Sequence, residues 1–449
     1  MDALHGKHLI ILGLARQGSA LARFAVDAGA AVTVTDLRAA ETLQSALTEL
    51  SDLDIEFILG EHPLTLLNDA DMVAISGGVP ADAPFVQAAR ERHIPITNDS
   101  QEFAKRAPTA VIGITGSAGK TTTTALTGIM GQLSGRTTWV GGNIGRPLIA
   151  DLHKMNPNDM VVQELSSFQL EIWNQSPHVA AVLNITPNHL DRHKTMAAYV
   201  AAKANILRFQ SENDIAVLSA DDSGALALAS EVRGHLRTFS LRGVVEEGAF
   251  VRDNAIWLRN GSEKQVCRLN DIQLRGQHNI LNVLAAVTLA DCVNIPTEAM
   301  AEAIRSFKGV EHRLERVRDL HGVVYINDSI ATAPERALAA LAAFEEPLIL
   351  LAGGRDKEMA WDAWTEQVTQ RVKHVVLFGD LADMLAERLQ AAGYTAITRH
   401  QNLAEAVTAA AHTAQSGDIV LLSPGGTSYD AFTDFAERGE LFRQLVNQL

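Results

Sequence analysis

The pattern of apolar and polar positions predicts alternating strands and helices from the start of the chain. The run "HLIILG" (8–13) is typical of a buried strand, and the glycine turn after it leads into apolar residues at helical spacing. A second apolar run, "AVTVTD" (31–36), follows. Strand, helix and strand in this order predict a βαβ unit, and "MVAISGG" (72–78) and "IPITN" (94–98) predict two later strands.

A second block of the same kind begins at "APTAVIGITG" (107–116). It continues through the apolar runs of 159–171 and 178–193, and the alanine-rich segment 196–209 predicts a helix. Residues 238–274 predict short strands at the edge of the sheet, and 277–293 predict another helix.

The third block holds four nearly continuous apolar strands, "GVVYIND", "PLILLAGG", "HVVLFG" and "DIVLLSPGG", separated by helical patterns. Strands of this kind are typical of parallel sheets buried on both faces. We therefore expect an α/β fold in three blocks.

Composition narrows the class of protein. Apolar residues make up 47% of the 449 residues and charged residues 20%, which is typical of globular chains with several cores. The net charge of −15 disfavours nucleic-acid binding but allows a local cationic pocket for a small anion. Cys267 and Cys292 form no CxxC pair, and no leader or membrane-spanning stretch is evident. These features favour a cytoplasmic enzyme.

The segment "GITGSAGKTTTT" (113–124) is the strongest candidate for a binding site. Gly116 and Gly119 allow a tight turn whose amides converge on an anion, Lys120 can reach terminal phosphates, and Thr121 can bind Mg²⁺. Ile114 occupies the first position of the strict GxxxxGK[ST] motif, so the loop is a variant. The alternative is a glycine-rich turn that binds nothing.

An earlier turn, "GLARQG" (13–18), partly matches a dinucleotide fingerprint. The middle glycine is replaced by Ala15. Asp36, at the end of the second strand, could accept hydrogen bonds from a ribose, and Arg38 could bind a phosphate. Two interpretations stay open, a nucleotide site and a tight turn that serves only packing.

Acidic and histidine side chains follow other predicted strands. Glu164 ends an apolar strand, where open α/β sheets place their ligands. His189, Asp191 and His193 could form a zinc cluster, a solvated polar loop or part of a Mg²⁺ site, and hard oxygen chemistry beside phosphate favours Mg²⁺. Lys203 lies on the predicted alanine-rich helix, and the local pattern alone indicates that it is a surface lysine.

Taken together, the motifs resemble those of the Mur ligases, the ATP-dependent amide-bond-forming enzymes of peptidoglycan precursor synthesis. The resemblance covers essentially the whole chain and is greatest to the members that add glutamate. It rests on the following segments, in this order: "GITGSAGKTT", "GGNIG", "ELSSFQLE", "LNITPNHLDRH", "YVAAKANIL", "GQHNILN", "EHRLE", "INDS" and "LLSPGGTSYDAF".

The resemblance implies a Rossmann-like N-terminal domain (1–99), a P-loop ATPase-like central domain (100–308) and a Rossmann-like C-terminal domain (309–449). It also implies a role for individual residues. UDP-N-acetylmuramoyl-L-alanine would be held by Leu14, Ala15, Asp36, Arg38, Gly78 and Asn143. ATP would be held by Gly116, Ser117, Ala118, Gly119, Lys120, Thr121, Thr122, Asn279, Asn282, Arg313 and Asp328. Glutamate would be held by Thr332, Lys357, Ser428 and Phe435. Two Mg²⁺ ions would be held by Thr121, Glu164, His189 and Lys203, the last carbamylated by CO₂. Lys120, His189 and Lys203 would be catalytic.

The implied reaction has two steps. The substrate carboxylate attacks the γ-phosphate of ATP to give an acyl phosphate and ADP, and the amine of glutamate then displaces phosphate. Two Mg²⁺ ions and Lys120 would neutralise the crowded negative charge, and closure of the third domain would exclude water.

Two departures from the family pattern concern the ligands. "GSAGKT" replaces the usual "GTNGKT", and Ile330 stands where many glutamate-adding members have lysine. D-glutamate is expected from family frequency, and L-glutamate is the alternative. Another Mur ligase, a folylpolyglutamate-type synthetase, an NAD-dependent oxidoreductase and a nucleotide-switched binding protein are further alternatives. We expect a monomer.

Overall fold

The computed structural model describes residues 2–274, 276–356 and 359–449, with the side chain of Asp191 left out. The chain divides into two compact units, Met1–Phe307 and Lys308–Leu449. The predicted α/β fold is confirmed in both units. The three domain boundaries stay a prediction.

The first unit opens with a five-stranded parallel sheet in the order β3-β2-β1-β4-β5. Its order reverses beside β1, and in open α/β sheets such a reversal opens a crevice at the carboxyl ends of the strands. The strands are β1 (His8–Leu12), β2 (Ala31–Asp36), β3 (Ile55–Leu59), β4 (Met72–Ile75) and β5 (Ile96–Thr97). The helices are α1 (Arg16–Asp27), α2 (Gln44–Glu49), α3 (Pro84–Glu91) and α4 (Asp99–Arg106).

A second sheet in the same unit has six parallel strands in the order β11-β10-β9-β6-β8-β7. Every residue of its central strand β6 is buried, which agrees with the apolar run in the sequence. The strands are β6 (Val111–Thr115), β7 (Thr138–Gly142), β8 (Met160–Glu164), β9 (Val179–Val182), β10 (Ile215–Ser219) and β11 (His235–Phe239). Helices α5 (Lys120–Leu133), α6 (Ser167–Leu170), α7 (Leu190–His193), α8 (Met196–Arg208) and α9 (Ser223–Ala227) accompany them.

The short strands predicted for 238–274 form a separate antiparallel sheet of β12 (Gly248–Arg252), β13 (Ala255–Asn260) and β14 (Ser262–Arg268). The unit ends with α10 (Gln277–Cys292) and α11 (Thr297–Ser306). The apolar pattern of 277–293 therefore predicted its helix correctly. Within the described residues, no helix has both the length and the apolar character needed to cross a membrane.

The second unit contains one sheet in the order β15-β16-β20-β17-β18-β19. Five of its strands are parallel, and β15 runs antiparallel at the edge beside β16. The sequence did not predict β15, because its charged residues give no apolar run. The strands are β15 (Glu315–Leu320), β16 (Val323–Asn327), β17 (Leu348–Gly353), β18 (Val372–Phe378), β19 (Ile397–His400) and β20 (Ile419–Gly425). The helices are α12 (Pro334–Leu341), α13 (Asp362–Arg371), α14 (Ala382–Ala391), α15 (Leu403–Thr413) and α16 (Phe435–Gln448).

Candidate active site

The glycine turn between β6 and α5 forms a tight loop at the carboxyl end of a central strand. Gly119 has φ +83°, which an L side chain rarely adopts. The ammonium of Lys120 folds back over the turn and donates to the carbonyls of Gly116 at 2.9 Å and Ser117 at 3.4 Å. The predicted tight glycine turn is therefore present, and its binding of phosphate stays a prediction.

Asn184, which follows β9, holds this turn in place and was missed by the sequence analysis. Its Oδ1 accepts the amide of Ala118 at 2.8 Å, and its carbonyl accepts the amide of Ser117 at 3.0 Å. The hydroxyl of Ser117 also donates to the carbonyl of Thr186 at 3.0 Å. Nothing in the local pattern around Asn184 marks it, since its role depends on β9 lying beside β6 in the sheet.

The predicted ATP residues Asn279 and Asn282 lie in α10, and Asn282 packs against the same turn. A Cβ atom added to Gly119 would lie 2.2 Å from Oδ1 of Asn282. Nδ2 of Asn282 donates to Oδ1 of Asn279 at 3.0 Å, which fixes the orientation of Asn282. Thr121 and Thr122 lie in the first turn of α5, where Thr121 is buried.

Glu164 ends β8, the strand next to β6, and its side chain is 1% exposed. Its Oε1 accepts the side-chain amide of Asn143 at 2.8 Å, whereas Oε2 is buried with no hydrogen-bond partner among the described residues. A buried carboxylate oxygen without a partner is costly unless a cation binds it. The hydroxyl of Thr121 and this carboxylate are hard oxygen ligands, so the residues fit Mg²⁺.

Lys203 is buried in α8, so its interpretation as a surface lysine is wrong. Its side chain is 1% exposed, and Nζ donates to the carbonyl of Gly116 at 2.9 Å and the hydroxyl of Thr115 at 3.3 Å. Burial lowers the pKa of this amine well below its usual value; the charge of Lys120 lowers it further, and Glu164 acts in the opposite direction. Two lysines therefore meet at one carbonyl, that of Gly116.

His189 lies at the start of α7 with φ +53°, and its ring is 5.0 Å from that of Phe168. His193 is buried; its ring stacks on Phe168, and Nε2 hydrogen-bonds the hydroxyl of Ser167 at 2.9 Å. His193 is thus engaged in packing, which argues against the zinc alternative. The side chain of Asp191 lies outside the described residues.

The first glycine turn is built around Asp36. Its carboxylate accepts the amide of Leu14 at 2.8 Å and the guanidinium of Arg38 at 2.7 and 2.9 Å. Burial would raise the pKa of Asp36, but the hydrogen bonds from Arg38 and Leu14 outweigh it and lower the pKa to about 2. Asp36 therefore shapes the turn in addition to any contact with a ribose. Ala15 caps α1, and a Cβ on Gly78 would meet open space.

In the second unit, the predicted residues lie near the carboxyl ends of the neighbouring strands β16 and β20. Asp328 is buried; Oδ2 accepts the hydroxyl of Ser423 at 2.9 Å, and Oδ1 accepts the amide of Leu314 at 3.2 Å. Burial raises the pKa of Asp328 to about 7. Ser428 is buried, Thr332 is half-buried and Arg313 is exposed. The prediction for Lys357 lies outside the described residues.

Arg438 supports this part of the second unit, and the sequence analysis missed it. The side chain is fully buried in α16 and donates to the carbonyls of Ser329 and Gly426 at 2.9 and 3.2 Å. The hydroxyl of Ser329 in turn donates to the carbonyl of Phe435 at 2.7 Å. A single arginine in a charged helical segment gives no sequence signal for such burial.

An anion-binding turn between a central parallel strand and its helix is what nucleotide-binding α/β proteins use for phosphate, and the fold and the site put the chain in this class. Within it, the chain belongs to the Mur ligase family. Family models match it at 7–98 (Mur ligase MurD-like, N-terminal domain), 114–290 (Mur ligase middle domain) and 312–426 (Mur ligase, glutamate ligase domain).

Curated relatives resemble the chain over its full length. It is 43% identical to the UDP-N-acetylmuramoylalanine–D-glutamate ligase of Symbiobacterium thermophilum, with 98% of this chain and 97% of the relative covered. The enzyme of that name from Pelotomaculum thermopropionicum is 40% identical, with 99% and 98% covered. Among solved structures, the UDP-N-acetylmuramate-alanine ligase of Thermotoga maritima has a TM-score of 0.58 at 21% identity, covering 99% of this chain and 100% of that one.

Proposed function

We propose that this protein is an ATP-dependent ligase that joins D-glutamate to UDP-N-acetylmuramoyl-L-alanine in the cytoplasmic synthesis of peptidoglycan precursors. The observation that carries the proposal is the group of side chains around Gly116. Lys120 and Lys203 converge on its carbonyl, and Lys203 interacts electrostatically with the buried carboxylate of Glu164. Similarity to the curated relatives supports the choice of substrates.

The turn between β6 and α5 with the first residues of the helix (residues 116–122), called the phosphate turn below, would act on the triphosphate. Amides of the turn other than those of Ser117 and Ala118, which donate to Asn184, would donate to phosphate oxygens. Lys120 would exchange its carbonyl partners for the terminal phosphates. Thr121, Glu164, His189 and a carbamylated Lys203 are the proposed ligands of two Mg²⁺ ions. Bound there, Mg²⁺ would neutralise the phosphate charge that opposes approach of a carboxylate.

The chemistry proceeds in two steps. The carboxylate of the nucleotide sugar attacks the γ-phosphorus and releases ADP, which leaves an acyl phosphate. The neutral amine of glutamate then attacks the acyl carbon, and inorganic phosphate departs. Thr332, Lys357, Ser428 and Phe435 are proposed to hold glutamate, and Asn143 and the first glycine turn to hold the nucleotide sugar. Arg313, Asp328, Asn279 and Asn282 complete the proposed ATP site.

Lys203 suits the proposed carbamylation, because its environment favours the neutral amine. A neutral amine is the form that attacks CO₂, and burial together with Lys120 lowers the pKa of Lys203. The resulting carbamate would be an anion beside two cations. We expect Lys203→Ala to be nearly inactive and to recover turnover when short carboxylates such as acetate or formate are added. Lys105→Ala removes an exposed lysine of the largely buried helix α4, and Arg106 still pairs with its partner Glu102, so this variant should keep normal activity without them.

The function is tested by phosphate release. The protein is supplied with ATP, Mg²⁺ and UDP-N-acetylmuramoyl-L-alanine, with D-glutamate, with L-glutamate or with neither. We expect release with D-glutamate and formation of the glutamyl product. Preference for L-glutamate would instead favour the alternative suggested by Ile330. No phosphate with either isomer would reject the proposal, and Lys120→Ala gives the background rate.

A further inference from the structure

Arg192 joins two parts of the first unit that are far apart in sequence. Its guanidinium donates to the carbonyls of Gly77 at 3.0 Å and Val79 at 2.7 Å. The same group lies 4.0 Å from the centroid of the Phe168 ring, which is cation–π distance. A planar fork of donors suits two neighbouring acceptors, and lysine cannot reproduce that geometry.

On one side, Arg192 holds the loop that follows β4. This loop contains Gly78, and Ser76 ties it to the first glycine turn by donating its hydroxyl to the carbonyl of Gly13 at 2.7 Å. The amide of Gly77 also donates to Oε1 of Gln17 at 3.3 Å. The loop is therefore hydrogen-bonded both to Arg192 and to the first glycine turn, which is part of the proposed nucleotide-sugar site.

On the other side, Arg192 packs against Phe168, the first of a series of ring side chains that extends to the phosphate turn. Phe168 contacts the rings of His189 and His193, at 5.0 and 5.2 Å between centroids. His193 packs edge-on against Tyr199, whose hydroxyl hydrogen-bonds that of Ser117 at 2.9 Å. Contacts thus run without a break from Gly13 through Arg192 to the proposed ATP site.

We propose that Arg192 is a positioning residue that couples binding of the nucleotide sugar to binding of the triphosphate. It holds the carbonyls of Gly77 and Val79 beside the segment that carries His189, so ordering of either side favours ordering of the other. The inference rests on the proposed function.

The test uses calorimetry to measure the affinity for UDP-N-acetylmuramoyl-L-alanine with and without a non-hydrolysable ATP analogue and Mg²⁺. It also measures the affinity for the ATP analogue with and without the nucleotide sugar. We expect each ligand to tighten the other by at least about fivefold in the unaltered protein, equally in both directions. In Arg192→Ala the factor should fall to near one, and Arg192→Lys should lie between. Arg192→Ala should lose kcat as well as nucleotide-sugar affinity, and added methylguanidinium should restore part of the coupling.

Arg208→Ala is the matched control. Arg208 also donates to a backbone carbonyl, that of Ala201 in its own helix α8, so this variant should keep the full coupling factor. A coupling factor near one in the unaltered protein, or an unchanged factor in a folded Arg192→Ala, would overturn the inference while phosphate release persists. Absence of phosphate release from the unaltered protein would instead reject the proposed function. If Arg192→Ala does not fold, Arg192→Lys decides in the same way.

Discussion

Two buried ionisable side chains, Lys203 and Asp328, show how individual residues are tuned. Lys and Asp are seldom fully buried, yet these two are 1% and 4% exposed. In both, burial disfavours the charged form, so the pKa of the amine falls and that of the carboxyl rises. Such groups are frequent at functional sites, where a charge arrives with the ligand.

We expect Asp328→Asn to stabilise the protein at alkaline pH. The pKa of Asp328 is raised from 3.8 to about 7, so the folded state binds more protons than the unfolded state between these values. Stability contributed by this group is therefore lost as pH rises through that window, and asparagine suffers no such loss. Denaturant titration should show an advantage for the variant that grows to roughly 2–4 kcal/mol near pH 8. Turnover should fall.

Asp319→Asn is the control, because Asp319 is an exposed carboxylate in the adjacent strand β15. Its stability profile should run parallel to that of the unaltered protein. Parallel profiles for Asp328→Asn as well would show that Asp328 does not carry the raised pKa.

Helix α5 is bracketed by two glycines with the same unusual backbone. Gly119 precedes it with φ +83° and Gly135 follows it with φ +84°. They differ in surroundings: a Cβ on Gly119 would strike Asn282, whereas nothing lies within 4 Å of a Cβ on Gly135. The pair separates the cost of backbone strain from the cost of crowding the phosphate turn.

Gly119→Ala should raise the KM for ATP at least about tenfold, because it displaces Asn282 and opens the turn. Gly135→Ala should lose about 1 kcal/mol of stability through strain, with a KM near normal. Steady-state kinetics and thermal unfolding measure both variants. Equal effects of the two variants on the KM would contradict a specific role for the contact with Asn282.

Each unit of the whole chain has hydrophobic clusters built from its own residues. One cluster of the second unit contains Trp361 and Trp364, packed edge to face at 5.2 Å between centroids. In the first unit, Trp173 belongs to a cluster on the second sheet. Units with separate cores are expected to unfold in separate transitions.

Calorimetry should therefore show two unfolding transitions. Trp364→Ala should lower the midpoint temperature of only one of them, because it reduces the free energy of unfolding of the second unit by about 3–5 kcal/mol. Trp173→Ala should lower the other. Trp364→Phe is the control: the indole nitrogen of Trp364 has no hydrogen-bond partner among the described residues, so phenylalanine loses little. A single transition that moves with either alanine variant would show that the units unfold together.

Strands, helices and the phosphate turn were predictable because their signals are local. The apolar run of β6 and the glycines and lysine after it lie within ten or so neighbouring positions, and the βαβ unit around α1 follows from periodicity. The family resemblance added Asn282 and Lys203, which local patterns did not single out. Edge strand β15 escaped because it is charged and only half-buried.

The sequence by itself determined the α/β fold and the presence of a glycine turn followed by a lysine, since backbone preferences and apolar spacing act between near neighbours. The tertiary structure alone decided that Lys203 is buried against Gly116, that Asn184 shapes the turn and that Arg192 reaches the Gly77 loop. These side chains lie far apart along the chain, and they meet only because the sheet order places their strand ends side by side.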